Sequence, residues 1–181
     1  MAQETLNAGS VGSVNATWTD SANIVEQYNV ATASFAQTAA GDYSGDANLE
    51  DTAQTPTAIN SFKLIYWNSG VSIDDDTFSL QVYNNHTTAW EELGTDLQES
   101  ETEYDDTYLA AIQAKFAAAA DKAAFVNNLA VRWAIVLTKG ADGVQISTQG
   151  IEMEIEYTAG GNAPTSVFNG PLVGPLGGPI Q

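Results

Sequence analysis

The stretch from Gln149 to Tyr157 constrains the fold more than any other part of the chain. Ile151, Met153, Ile155 and Tyr157 alternate there with Glu152, Glu154 and Glu156. Successive side chains of a strand point to opposite sides of a sheet, so this pattern describes one apolar face on a core and one acidic face in water. An antiparallel sheet with one wetted side follows.

Two further stretches repeat the signal. Ile59 to Trp67 sets Phe62, Leu64 and Tyr66 against Lys63, Ile65 and Trp67, and Thr77 to Tyr83 sets Phe78, Leu80 and Val82 against Thr77, Ser79 and Gln81. Leu129 to Thr138 is apolar on both faces and reads as a strand in the middle of a sheet. Lys139-Gly140-Ala141-Asp142-Gly143 after it reads as a hairpin connection.

One segment breaks the β pattern. About 106–127 is Ala-rich, with Leu109, Ile112, Phe116 and Ala120 on one helical stripe. Asp105 and Asp106 stand where an N-cap belongs, and the segment reads as one helix, or as two with a break near Asp121.

The end of the chain has a different composition. From Tyr157 to Gln181 there is no Asp, Glu, Lys, Arg or His, and every proline except Pro56 lies in it. Proline blocks helix and central strand, so 159–181 reads as an extended Gly/Pro-rich arm. Its apolar side chains, Val167, Phe168, Leu172, Val173, Leu176 and Ile180, are the expected partner-binding residues. The domain plan is an N-terminal arm or edge strand (1–17), a sandwich (18–158) with the helical insert, and the C-terminal arm (159–181).

Charge excludes several classes of partner. Five Lys and Arg stand against 23 Asp and Glu, a formal net charge of −18. Nucleic-acid binding needs clustered cations on phosphates, and anionic lipid would repel this surface, so neither is an expected partner. No stretch approaches the roughly 20 apolar residues of a membrane span. The start, Met1-Ala2-Gln3-Glu4-Thr5, lacks the marks of a secretory signal, so synthesis in a host cytoplasm is expected.

Chemistry is hard to find. There is no cysteine, and the one histidine, His86, sits in Tyr83-Asn84-Asn85-His86-Thr87-Thr88 at the end of a strand. No catalytic residue and no cofactor is expected. Asp74, Asp75 and Asp76 are a weak calcium candidate without EF-hand spacing, and a solvated turn is the commoner use of such a run. Of the four tryptophans, Trp133 alternates with Val131 and Ile135 and belongs in the core. Trp18 and Trp90 lie among polar residues and are the ligand-facing candidates, with loop anchoring as the competing role.

With these pieces placed, three stretches carry a resemblance. They are Ala16-Thr17-Trp18-Thr19-Asp20-Ser21-Ala22-Asn23, Ser61-Phe62-Lys63-Leu64, and the closing Gly150-Ile151-Glu152-Met153-Glu154-Ile155-Glu156-Tyr157-Thr158. Across 16–158 the chain resembles jelly-roll-type virion proteins of tailed bacteriophages, the capsid decoration (cement) and tail-associated proteins; the helical insert departs from their plain sandwich. The resemblance implies a mainly β, jelly-roll-like antiparallel sandwich located in the virion. It also implies a homo-oligomer, with a trimer as one option, bound to a major capsid protein or another virion protein. The expected function is that of a non-enzymatic capsid decoration protein that stabilises the coat through its arms. The alternative is a carbohydrate- or receptor-binding β-sandwich module of a phage tail or cell surface.

Overall fold

The alternating stretches all become strands, and Phe62, Leu64, Tyr66, Phe78, Leu80, Val82, Ile151, Met153 and Ile155 turn to one shared core. The computed structural model describes residues 1–25, 33–37, 39–69, 76–94, 100–138 and 144–158. Its strands are β1 (Ala2–Val14), β2 (Ala33–Gln37), β3 (Gly41–Leu49), β4 (Pro56–Ser69), β5 (Thr77–Asn84), β6 (Ala89–Gly94), β7 (Ser100–Asp105), β8 (Ala130–Leu137) and β9 (Val144–Tyr157). The helices are α1 (Ala22–Val25), α2 (Leu109–Ala118) and α3 (Lys122–Asn127).

Pairing defines the topology. Leaving aside short β2, which lies against β9, the strands pair outermost with outermost: β1 with β9, β3 with β8, β4 with β7 and β5 with β6. This doubled chain is rolled so that β4 also meets β9 and β5 also meets β8, every pair being antiparallel. The result is a jelly-roll β-sandwich, with β7-β4-β9-β1 as one sheet and β1-β3-β8-β5-β6 as the other. β1 belongs to both: Ala2–Asn7 pair with β9, while Ala8–Val14 pair with β3, with a register shift between Ala8 and Ser10. Residues 2–14 thus form one strand that pairs with β9 through its first half and with β3 through its second.

The core lies between the sheets. Phe62, Leu64, Tyr66, Ile151, Met153 and Ile155 come from one sheet, and Phe78, Leu80, Val82, Val131, Trp133 and Ile135 from the other; all are buried. Tyr66 and Phe78 meet across the gap, edge to face, with centroids 5.4 Å apart. The glutamates of β9 face out, where Lys63 pairs with Glu152 at 3.7 Å.

β8 and β9 do not form the expected hairpin. Each pairs in a different sheet, and 139–143 is outside the described residues. A hairpin signal reports a turn; which sheet the second strand joins depends on where its apolar face finds a partner.

β9 also begins earlier than its sequence pattern. Val144, Ile146 and Thr148 are buried on even positions, and Ile151, Met153 and Ile155 on odd ones. The phase changes at Gly150, where the ladder to β4 slips and φ is +102°. A Cβ there would stand 3.2 Å from the Ile24 carbonyl oxygen. Gly150→Ala is expected to cost about 1–3 kcal/mol in a urea melt, because alanine is strained at this φ whatever room it finds. A stability equal to that of the parent chain would refute the bulge account.

The helical insert bridges the two sheets. Ile112, Phe116, Phe125 and Val126 are buried, and Gln113 Nε2 donates to the Ile59 carbonyl of β4 at 2.8 Å. Lys115 donates to Glu91 of β6. The break falls at Asp121, whose carboxylate caps α3 by accepting from the Ala124 N–H at 2.9 Å. Asp106 is not the N-cap of α2; that position is Tyr108, with no side-chain cap. Asp106 instead accepts from the Phe62 N–H at 2.8 Å, a tie to β4. Ala119, not Ala120, completes the buried stripe, because α2 ends at Ala118.

The Lys115 ammonium, joined by the Thr87 hydroxyl, holds the Glu91 carboxyl below its usual value of 4.5. A depressed folded-state pKa gives stability that is present above the unfolded value and lost as pH falls through the folded one. The chain is therefore expected to lose stability on acidification below about pH 4.5, with a shallower loss in Glu91→Gln. Equal slopes in acid melts of the two proteins would rule out this linkage.

Candidate functional site

Because Val131, Trp133 and Ile135 point into the core, strand geometry turns Ala130, Arg132, Ala134 and Val136 of β8 to the outside of the β1-β3-β8-β5-β6 sheet. Register then aligns residues across this face. One row reads Trp90, Tyr83, Ala130, Asn48 and Ser10, each opposite the next on neighbouring strands. The adjoining row reads Glu92, Gln81, Arg132, Asp46 and Gly12.

The first row floors an open cleft of ≈ 640 Å³. Alanine at the centre and serine at the far end keep the floor low, while Trp90 and Tyr83 raise an aromatic wall at one side. Glu50 and Asp51, just after β3, and Asn127 and Asn128, at the end of α3, form the rim. The Asn127 amide is held in place by a reciprocal pair: its Oδ1 accepts from the Thr52 N–H at 2.8 Å, and its Nδ2 donates to the Thr52 carbonyl at 3.1 Å.

Trp90 is fixed rather than free. The Arg132 guanidinium lies 3.9 Å from its ring centroid, and Tyr83 meets it at 5.5 Å with the planes at 63°. Arg132 is itself clamped, donating from Nε and Nη2 to the two oxygens of Asp46, both at 2.8 Å. A bidentate pair sets the plane of the guanidinium, and the guanidinium sets the plane of the indole. An aromatic ring held this way can stack on an apolar ligand face without first losing rotamer freedom.

The structure separates the two tryptophan candidates. Trp90 lines the cleft. Trp18 packs edge-on against Trp133, with centroids 5.8 Å apart, and its Nε1–H donates to the Gly12 carbonyl at 2.9 Å, which is the loop-anchoring role. Asp76 Oδ1 accepts from the Thr138 N–H at 3.1 Å, so it ties the end of β8. Asp74 and Asp75 lie outside the described residues, as do Val167, Phe168, Leu172, Val173, Leu176 and Ile180. Among the described residues no three His, Cys, Asp or Glu gather as a metal site. His86 sits in the β5–β6 turn, its backbone N–H donating to Asn84 Oδ1 at 3.0 Å, and it does not line the cleft.

Sequence reading missed Tyr83, Arg132, Asn48 and the rim. One signal was present: Tyr83 falls on the polar phase of Thr77, Ser79 and Gln81, and an aromatic ring on the outward phase of a strand marks a face with a use. The rim residues carry no such mark, because they come from two separate connections.

No protein-family model and no curated protein matches the chain. Among solved structures it is similar to a recombinant N-glycanase F (PNGase F), at 18% identity and TM-score 0.37, over 71% of this chain and 42% of that one. A peptide-N(4)-(N-acetyl-β-D-glucosaminyl) asparagine amidase gives 16% and 0.35, over 71% and 43%. The Spr0440 glycoside hydrolase domain, Endo-D from Streptococcus pneumoniae R6, gives 14% and 0.37, over 81% and 21%. The chain spans less than half the length of each, and a likeness this weak carries nothing about activity.

Proposed function

We propose that the protein is a non-catalytic binding module that takes neutral saccharides in the cleft floored by Tyr83, Ala130 and Asn48. The observation that carries this is the clamped Trp90 ring beside a ring of amides and carboxylates. A sugar presents apolar C–H faces and many hydroxyls, and such a wall and rim match both. The charge of −18 favours a neutral ligand over an anionic one. An open, shallow cleft suits binding at a surface rather than enclosure of a reaction.

The test is a glycan array followed by titration calorimetry on the full chain. Saturable binding to neutral glycans, unchanged by chelator and by added salt, is the expected result. Binding confined to sulfated or sialylated glycans, or none at all by a folded protein, would overturn the reading.

The uncharged, proline-punctuated segment 159–181 favours a second reading, a capsid decoration protein attached to a coat through that segment. The two are compatible, since a coat-bound sandwich can present its outer sheet to the medium. A chain ending at Thr158 separates them: saccharide binding persists in the shortened protein, and attachment to a particle does not.

A further inference from the structure

We infer that the outer face of the β1-β3-β8-β5-β6 sheet is a trough with two subsites, so that its ligand is a linear oligosaccharide longer than one ring. This rests on the saccharide reading above and extends it. A second open cleft, ≈ 420 Å³, lies on the same face toward the other end of β8, between Val14, Ser44, Ala134 and Val136. Ala130, in the floor of the first cleft, and Ala134, in the second, are four residues apart on one strand, roughly 13 Å. Only the Gln81–Arg132–Asp46 row lies between them, and those side chains are polar.

Two observations mark the second cleft as built for contact. Val14 and Val136 are 49% and 41% exposed, the only large apolar side chains besides Met1 that the described residues leave so open. Ser44 is 5% exposed, lines this cleft, and its Oγ has no hydrogen-bond partner among the described residues. A buried hydroxyl without a partner is costly, and an incoming ligand hydroxyl would satisfy it. The valines offer an apolar surface to the C–H face of the same ring. Arg132 belongs to both ends: it backs Trp90 at the first and lines the second. A chain laid along β8 would pass over this ion pair, whose hydrogen bonds to Asp46 leave it little net charge to repel or attract.

The experiment is a length series, monosaccharide through hexasaccharide, of neutral glucose, mannose and N-acetylglucosamine oligomers, titrated into the full chain. Affinity is expected to rise about tenfold from the single ring to the longer oligomers as the second subsite fills. Ala134→Phe, which fills that cleft, and Ser44→Ala, which removes the orphan hydroxyl without adding bulk, are each expected to reduce this rise and leave monosaccharide affinity unchanged. Circular dichroism melts check that both variants fold. Equal affinity for one ring and for six overturns the trough while leaving the single-cleft reading standing. Binding of no member of the series by the folded parent overturns both.

Discussion

Replacing Trp133 with alanine is expected to destabilise the protein by about 3–5 kcal/mol. The indole is wholly buried between the sheets, and Trp18 stands edge-on against it. Truncation leaves a cavity that the strands of a rolled sandwich cannot close, since β8 is pinned by β3 on one side and β5 on the other. It also removes the surface on which Trp18 rests, and Trp18 holds the loop after β1 through Gly12. Against a total of about 5–15 kcal/mol for a typical domain, this is a large fraction. For a chain of this length the melting temperature should fall on the order of 10 °C. Trp133→Phe is expected to cost less, because the indole Nε1–H has no hydrogen-bond partner among the described residues to lose. Urea melts of the two variants check this; an alanine variant within about 1 kcal/mol of the parent would mean the core is not centred where the structure places it.

Trp90→Ala is expected to abolish most saccharide binding while leaving the fold intact. The ring forms the aromatic wall of the cleft, and residues of this kind at the centre of a contact commonly carry about 2 kcal/mol or more. That is a loss of roughly thirtyfold in affinity. The stability cost should be far smaller than at Trp133, because Trp90 is half-buried on edge strand β6. Trp18→Ala gives the opposite pattern: destabilisation, with unchanged affinity in the fraction that folds. Asp46→Asn tests the clamp behind Trp90. It keeps volume but weakens the hold on Arg132, so affinity should drop while the ring itself is still present. Full binding by Trp90→Ala in calorimetry would remove the cleft from consideration.

The extent to which this protein was legible follows from how far each physical rule reaches. Alternation is local, so the inward faces of β4, β5 and β9 and the central burial of β8 were visible in Phe62, Phe78, Met153 and Trp133. Helical spacing is local too, and both the insert and its break at Asp121 could be read. Capping was misassigned: Asp106 has the right chemistry for α2, but the Phe62 N–H of β4 competes for its carboxylate. Long-range demands decide such cases, and they have no local mark.

What the amino-acid order determined by itself is which side of each strand is apolar, where the chain turns helical and how acidic its surface is. These depend on neighbours within a few positions. Only the rolled packing decided that β8 and β9 part into different sheets, that 2–14 joins the two sheets, and that Trp90, Tyr83, Asn48 and Asn127 share one cleft. Those residues are far apart in the chain, and they meet because burying two apolar faces against each other forces a particular register across five strands. A site assembled by register exists only once the sheet does.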